Sequence, residues 1–307
     1  MLKRVKIIVL PLLLAVIFAV LSLSGCGGNG AESDGTGAGG ALNEQQAKQL
    51  VSDSMVAMKN VDSYLFSMDM KMTMEATGGS TPGKISATMK TDGAADIAAK
   101  KMKMGFEMSL DEITFEDQPE DIPKNVSAEM YMIEETLYMK MDMPEIGEQW
   151  VKMPFTEEMK KAYNLDMVEQ QMTPLETASE IEFVKSEKVD GSDCYVLKIV
   201  PDMASMKDWF ESQQMTSGAF DWSELENLQD VFKELSYTVW IAKDSKLMRK
   251  MNIDMLMEMN TEQFGAGDNE FDKMKMDINM EMKIGNLNEP VSIDLPEEAK
   301  DAPEMPQ

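Results

Sequence analysis

The sequence predicts one α+β domain built on a long antiparallel sheet. Five segments alternate apolar and polar residues, which is the period of a β-strand. Breaks rich in Gly, Ser and Pro, such as residues 78–83, separate some of them. One segment before the first strand instead repeats at helical spacing. Long alternating strands joined by short turns indicate an antiparallel sheet with one covered face and one wet face.

The helix is predicted over residues 41–59. Its apolar or small residues fall at positions 47, 50, 51, 54, 55 and 58, which lie on one face of a helix. Asn43 with Gln46 three residues later is typical of an N-terminal cap. The apolar face is expected to pack against the sheet.

The strong strands are predicted at 64–75, 102–110, 137–143, 251–259 and 274–284. Methionine is a poor strand former, so the alternation carries this prediction and not the residue type. Side chains alternate across a strand, so the sequence assigns residues to two faces. We expect Met70, Met104, Met255 and Met276 to point inward and Asp69, Lys103, Asp254 and Lys275 to point to solvent.

Weaker patterns complete the domain. Further strands are predicted at 84–92, 94–100, 126–133, 149–153, 181–189, 194–200 and 237–243, and residues 190–193 (Asp-Gly-Ser-Asp) are typical of a hairpin turn. Helices are predicted at 156–171 and within 203–235. The sequence therefore predicts a single domain over residues 44–296, followed by a disordered acidic tail at 297–307.

The first 25 residues are predicted to be a signal peptide. Lys3, Arg4 and Lys6 precede an apolar run over residues 7–21, too short for a confident transmembrane helix. The run ends in Leu23-Ser24-Gly25-Cys26, which resembles the lipobox of bacterial lipoproteins. That resemblance implies cleavage before Cys26 and diacylglyceryl attachment, with palmitate-type chains, to its sulfur.

Two acyl chains give the stable anchoring that one chain cannot. Residues 26–43 contain many Gly residues and are predicted to form a flexible tether behind the lipidated Cys26. The protein is therefore expected on the extracytoplasmic face of the cell membrane, with the membrane as its partner through Cys26.

The composition excludes several functions. The chain carries 29 Lys and Arg against 55 Asp and Glu, a net charge of −26, which disfavours nucleic-acid binding. It has no His, so a Ser-His-Asp or Cys-His relay and an imidazole zinc site are excluded. No nucleotide-binding or nucleophile-elbow motif is present. We expect no enzyme activity and no cofactor.

Cys194 is the one cysteine besides Cys26. It stands in an apolar run with Tyr195, Val196 and Leu197, which predicts a buried small residue and not a nucleophile.

The order of elements resembles the LolA/LppX-type lipoprotein superfamily, and within it an uncharacterised group of Gram-positive lipoproteins. Three stretches carry the resemblance: the helix at 43–59 that leads into residues 61–64 (Val-Asp-Ser-Tyr), the pair 137–140 and 150–154, and the terminal stretch 288–299. The resemblance implies a strongly curved antiparallel half-barrel of about 10–11 strands with helices on its concave face. It also implies non-covalent binding or carriage of a lipid-like ligand.

The 33 methionines allow three interpretations. They fill an irregular core, they line an adaptable apolar cavity, or their thioethers bind Cu(I). Residues i and i+2 of one strand face lie about 6.5–7 Å apart, which is wide for two sulfurs on one ion. For the cavity, the predicted ligand-binding residues are Met70, Met72, Met104, Phe106, Met139, Met141, Met255, Met257, Met276 and Met280.

The leading hypothesis is thus a membrane-anchored lipoprotein that binds or carries a hydrophobic ligand in a Met-lined cavity. The alternatives are a non-enzymatic structural or interaction module of the cell envelope with a filled core, and a Met-based Cu(I)-binding surface protein. A cavity of several hundred Å3 favours the first, whereas a close-packed interior favours the second.

Overall fold

The computed structural model describes residues 41–79, 82–115, 123–143, 147–156, 178–204, 228–260 and 272–304, together with Leu175 and Met206. The signal peptide, Cys26, most of the tether and the predicted helix at 156–171 therefore lie outside the described residues, as does most of the helical stretch predicted after residue 203. Within the described part, no helix is long and apolar enough to cross a membrane.

Helix α1 spans Glu44–Met58, as the sequence predicts. The Asn43 side chain accepts a hydrogen bond from the Gln46 backbone N–H at 2.9 Å, and the Gln46 side chain accepts one from the Asn43 N–H at 3.0 Å. This reciprocal capping box satisfies two of the free N–H groups at the helix start. The buried residues of α1 belong to the same core cluster as the inward methionines, which confirms that this helix packs on the inner face of the sheet.

Eleven strands form one antiparallel sheet. Their bounds are β1 Ser63–Thr77, β2 Gly83–Asp96, β3 Lys101–Ile113, β4 Asn125–Ile133, β5 Thr136–Met143, β6 Gly147–Pro154, β7 Ala178–Val189, β8 Ser192–Pro201, β9 Phe232–Ala242, β10 Met248–Asn260 and β11 Lys273–Gly285. The spatial order is β6-β5-β4-β3-β2-β1-β11-β10-β9-β8-β7. Pairing of β1 with β11 joins the two halves, and β6 and β7 are the two edge strands of an open sheet.

The sheet is curved around a single core. Laid flat, eleven strands would span roughly 48 Å, yet the inward residues of both halves form one hydrophobic cluster with α1. Register shifts interrupt the β2–β3, β9–β10 and β7–β8 pairs. Such bulges bend a strand and increase its twist, which is how an open sheet becomes a half-barrel. The predicted α+β half-barrel of about 10–11 strands is confirmed.

The two faces separate as the alternation predicts. Met70, Met104 and Met276 are buried, and Asp69, Asp254 and Lys275 are exposed. Met255 on the inner face and Lys103 on the outer face are both half-buried. The strand register is therefore the predicted one, because a slip of one residue would have exchanged the two sets.

Two element boundaries differ from the prediction. The strands predicted at 84–92 and 94–100 are one strand, β2, because Gly93 continues the ladder opposite Phe66. Strand β9 begins at Phe232, inside the stretch predicted as helix, and pairs with β10 through a register shift beside Met257. The turn at Asp190 and Gly191 is confirmed, with positive φ at both residues between β7 and β8.

The predicted disordered tail is wrong for residues 297–304. Glu297–Lys300 forms a short helix, α2, and Ala299 and Ala302 are buried. The Lys152 N–H of edge strand β6 donates a hydrogen bond to the Pro303 carbonyl at 3.0 Å, and Glu304 forms a parallel bridge with Lys152. The acidic composition of the tail predicts full exposure, but Ala299 and Ala302 are small enough to pack against the sheet. The tail backbone also accepts a hydrogen bond from the edge strand β6.

Candidate functional site

One cross-strand row defines the inner face. The paired residues run Tyr237, Ile253, Met280, Met70, Met89, Met108 and Val126 across β9, β10, β11, β1, β2, β3 and β4. Directly opposed residues on neighbouring strands have Cβ atoms about 4.5–5.5 Å apart. The sequence assigns each residue to a face, but only the pairing shows that four methionines stand side by side.

Similar rows lie on either side of it. Met257, Met276 and Met74 are paired across β10, β11 and β1, and Met251, Met282 and Met68 are paired across the same strands. Met104, Met130 and Met139 are paired across β3, β4 and β5. Neighbouring thioethers are therefore closer across strands than the spacing along one strand suggests.

Most of the predicted ligand-binding residues are covered. Met70, Met72, Met104, Phe106, Met257 and Met276 are buried, whereas Met139, Met255 and Met280 are half-buried. Met141 lies in β5, opposite Ala128, and its side chain lies outside the described part. The other nine residues lie on inward positions, and the pairing brings Met70 beside Met280 and Met257 beside Met276.

Four neighbouring residues on β10 and β11 leave part of the inner face accessible. Met251, Ile253 and Met255 on β10 and Met280 on β11 are all half-buried while packing against the core cluster. Ile253 is paired with Met280, and the other two are the next inward residues on either side of Ile253. We call these four residues the inner patch. Sequence reasoning named Met255 and Met280 and missed the other two, because alternation does not show which part of a covered face stays open.

The inward positions of β1–β5 and β9–β11 carry no charged residue. Between Tyr64 and Ala76 on β1 they are aromatic, methionine or alanine side chains, and on β11 they are methionine or isoleucine. A face of this kind offers dispersion contacts and flexible thioethers, but no acid, base or counter-ion.

Three hydroxyl groups interrupt the apolar surroundings. Ser54 Oγ of α1 and Thr91 Oγ1 of β2 are buried and have no hydrogen-bond partner among the described residues. Tyr237 of β9 is 8 % exposed and forms no hydrogen bond that the described part of the chain reveals. Burial raises the pKa of the Tyr237 hydroxyl well above its usual value, so this group stays protonated. The sequence pattern, which is dominated by methionine, does not indicate any of these three hydroxyl groups.

The outer face is polar and crosslinked by ion pairs. Lys250 pairs with Glu281 and lies 4.7 Å from the centre of the Trp240 ring, whose Nε1 donates to Glu187 at 2.9 Å. The hydrogen bond from Lys250 holds the pKa of the Glu281 carboxyl below its usual value. The Trp240 N–H and then Lys185 do the same for the pKa of Glu187.

A depression of about 210 Å3 lies on this outer face and not on the methionine face. Its lining includes Asp92, Glu107, Glu129 and Glu148, and Lys140 pairs with Glu148 at 3.1 Å. In the described part of the chain, no group of three or more Cys, Asp or Glu side chains is arranged to hold a metal ion. The polar lining makes this depression a poor site for an apolar ligand.

Cys194 is fully buried on the outer side of β8, in a small cluster with Val196, Trp240 and Ala242. Its Sγ donates a weak hydrogen bond to the Ser192 carbonyl at 3.5 Å. Burial raises the pKa of the Cys194 thiol, which keeps it in the unreactive form. The prediction of a buried small residue is confirmed.

The described residues thus define an open antiparallel half-barrel with an uncharged, methionine-lined inner face and a charged outer face. The chain belongs to DUF6612, a family of unknown function, whose family model matches residues 46–304. No protein with a curated description matches the sequence.

Several solved structures are similar to the chain at low sequence identity. LprF from Mycobacterium bovis matches with 15% identity and a TM-score of 0.44, over 84% of this chain and 99% of that one. The lipoprotein LppX from Mycobacterium tuberculosis matches with 12% identity and a TM-score of 0.40, over 82% and 100% of the two chains. A DUF1329 protein from Desulfovibrio piger matches with 14% identity and a TM-score of 0.23, over 81% and 94%.

Proposed function

We propose that the protein is a non-enzymatic lipoprotein that is anchored through Cys26 on the extracytoplasmic face of the cell membrane and binds a hydrophobic, lipid-like ligand against its inner face. The observation that carries the proposal is the uncharged row of side chains, with four neighbouring methionines, that crosses seven strands and is accessible at the inner patch. The chain-specific support for the anchor is the lipobox at Leu23–Cys26.

Methionine suits a surface that must accept ligands of different shape. Its unbranched side chain has three rotatable bonds and a polarizable sulfur, so it adapts to an apolar partner at little cost. Rows such as Met280, Met70, Met89 and Met108 supply this property over four neighbouring strands. In this proposal the side chains provide the adaptability and the backbone of the half-barrel provides the shape.

The proposal is tested by identifying lipids that copurify with the full-length protein. Non-covalent lipids are extracted after purification in a mild detergent and identified by mass spectrometry. The wild type is expected to carry lipid, and Met280→Trp is expected to carry much less, because Trp at the accessible inner patch occupies the ligand's space. Leu256→Trp adds the same bulk at the neighbouring β10 position that points outward, and should leave the lipid content unchanged.

Thermal unfolding separates the proposed carrier from a filled structural module. At the half-buried Met280, Trp should cost little stability, whereas Met276→Trp in the buried row should destabilise by about 1–3 kcal/mol through overpacking. Absence of any bound lipid from the wild type, with equal destabilisation by both variants, would refute the carrier and favour the module with a filled core.

Cu(I) binding is a second candidate, supported by the pairing of Met74, Met276 and Met257 on three adjacent strands. Three thioethers in one row are closer together than the spacing along one strand allows, and thioethers suit Cu(I). Titration of the full-length protein with Cu(I) tests it directly. Replacing all three residues by Leu keeps the apolar volume and removes the sulfurs, so only a metal site would be lost.

A further inference from the structure

Tyr237 places one hydroxyl at the edge of the accessible methionine surface. It is paired with Ile253 of the inner patch, which is paired in turn with Met280. Within the seven-residue row that continues through Met70, Met89 and Met108 to Val126, the Tyr237 hydroxyl is the one oxygen carried by a side chain.

The Tyr237 side chain is 8 % exposed, and no hydrogen bond joins its hydroxyl to another residue of the described part of the chain. A buried polar group that forms no hydrogen bond costs free energy, so native proteins satisfy nearly all of them. The raised pKa keeps the proton on the oxygen, so the group can donate to an acceptor at neutral pH. Its position beside the inner patch makes a bound ligand the natural acceptor.

The charge of the surroundings restricts the chemistry of that ligand. The inward positions of the neighbouring strands β10, β11 and β1 carry no Lys or Arg, so these strands offer no counter-ion to an anionic headgroup that leaves water. An ester or hydroxyl oxygen loses much less on leaving water and still accepts the hydrogen bond from Tyr237.

We propose that the ligand is an uncharged amphiphile of the diacylglycerol class, with an ester or hydroxyl oxygen bound to the Tyr237 hydroxyl and its acyl chains lying along the methionine rows. This inference rests on the proposed function and names the ligand class and the residue that positions the polar group. Tyr237 is a positioning residue for the ligand, and the half-buried Met255 and Met280 beside it form the accessible side of the site.

The test uses the full-length protein anchored in phosphatidylcholine vesicles. Photoactivatable diacylglycerol, palmitic acid and phosphatidylglycerol are each added in turn, and the crosslinked peptides are mapped by mass spectrometry. Diacylglycerol is expected to crosslink to β10 and β11 more strongly than either anionic probe. Tyr237→Phe should lower the diacylglycerol yield about fivefold, the usual effect of one hydrogen bond.

Tyr131→Phe is the matched control, because it removes a tyrosine hydroxyl from the outer face and should leave the yield unchanged. Thermal unfolding of both variants checks that they fold. The inference is overturned if an anionic probe crosslinks to the wild type at least as strongly as diacylglycerol does, or if Tyr237→Phe leaves the diacylglycerol yield unchanged. Either result leaves the proposed function standing. Failure of every lipid probe to crosslink to the inner face overturns both.

A second pair of variants tests the charge argument without touching Tyr237. Met255→Lys places a cation on the inner patch and is expected to raise crosslinking of palmitic acid severalfold while lowering that of diacylglycerol. Leu256→Lys adds the same charge at the next residue, which points outward, and should change neither yield. Identical behaviour of the two Lys variants would show that overall charge, and not the inner face, governs selectivity, and would overturn the inference.

Discussion

The ring of Phe66 occupies the space where a side chain on Gly93 would lie. A Cβ atom built on Gly93 would be 2.5 Å from Cζ of Phe66 and 2.5 Å from the backbone oxygen of Lys103. The two residues are directly paired on β1 and β2. A strand glycine is weak because it has no side chain to pack, and an aromatic neighbour compensates for that gap.

We expect Gly93→Ala to destabilise the protein by about 1–3 kcal/mol, because the new methyl group overpacks a site bounded by a ring and a backbone atom. Chemical denaturation of the full-length protein measures the change. Gly105→Ala is the matched control, since its Cβ would lie 3.8 Å from the nearest atom, Asp92 Oδ1, on the outer face. That variant should be neutral or slightly stabilising. Equal effects from the two variants would contradict the assigned role of Gly93.

Thr91 provides a test of the unsatisfied hydroxyl groups. Its Oγ1 is buried and forms no hydrogen bond within the described part of the chain, and its neighbours across the sheet are Met68 and Phe106. We expect Thr91→Val to stabilise the protein by about 1 kcal/mol, because the variant keeps the shape and removes an unpaired polar group. Destabilisation measured in the same denaturation experiment would mean that the hydroxyl has a partner in solution.

The strands were predictable because Met and charged residues alternate with a period of two. The charged residues of these segments can then all lie on the solvent-exposed face of the sheet. The sequence could not predict the joining of β2 across Gly93, because a glycine in an alternating run also marks a break. It could not predict the start of β9 at Phe232 either, because that pairing depends on a register shift against Met257.

The residues that the sequence predicts to bind a ligand, apart from Met141, lie on the expected face of the sheet, but alternation does not show which of them are neighbours. Alternation assigns Met70 and Met280 to the same side, yet their adjacency arises from the pairing of β1 with β11, strands separated by most of the domain. The sequence does not single out Tyr237. Its proposed role depends on its pairing with Ile253 and on the absence of a hydrogen bond to any described residue. Both properties are set by tertiary structure.

The Lys250–Glu281 pair predicts a pH dependence of stability. The hydrogen bond from Lys250 lowers the pKa of Glu281 in the folded state, so the contribution is present above the unfolded pKa of about 4.3 and is lost as the pH falls through the lowered folded pKa. Glu281→Gln should cost roughly 0.2–1 kcal/mol at pH 7, the usual size for a partly exposed pair. The difference from wild type should shrink in denaturation curves measured at progressively lower pH.

Lys250→Met supplies the control for this pair. In the Lys250→Met background, Glu281→Gln should have a smaller effect at pH 7, because the carboxylate has lost its first partner. Lys283 still pairs with Glu281 at 3.1 Å, so a small residual effect is expected. A penalty for Glu281→Gln that stays constant from pH 7 to pH 3 would contradict the assignment.

The anchoring hypothesis is tested at the two cysteines. Cys26→Ala should release the protein from the membrane fraction or leave it as an uncleaved precursor, because the residue that carries the acyl chains is gone. Cys194→Ala changes the other cysteine, which is buried on β8, and should keep the protein in the membrane fraction. Cell fractionation and the intact mass report both outcomes. An unchanged mass and location for Cys26→Ala would exclude lipidation at this residue.

The terminal residues protect a strand edge. The Pro303 carbonyl accepts the Lys152 N–H at 3.0 Å, and Ala302 is buried. We expect deletion of residues 301–307 to expose the β6 backbone and to promote self-association, since a free edge is a template for pairing with another chain. Light scattering of the full-length protein in detergent measures the association, and hydrogen exchange measures the loss of protection at Lys152.

A shorter deletion and a point variant distinguish protection of the β6 edge from other effects of deleting the tail. Removing residues 305–307 keeps Glu304 and its bridge to Lys152, and should leave the protein monomeric if the wild type is. Lys152→Pro removes the donor that the tail accepts, but proline also blocks pairing at a strand edge. That variant should therefore free the tail, seen as faster exchange at Ala302, without the self-association caused by the deletion. If the deletion leaves the protein monomeric and exchange at Lys152 unchanged, residues 301–304 do not protect the edge.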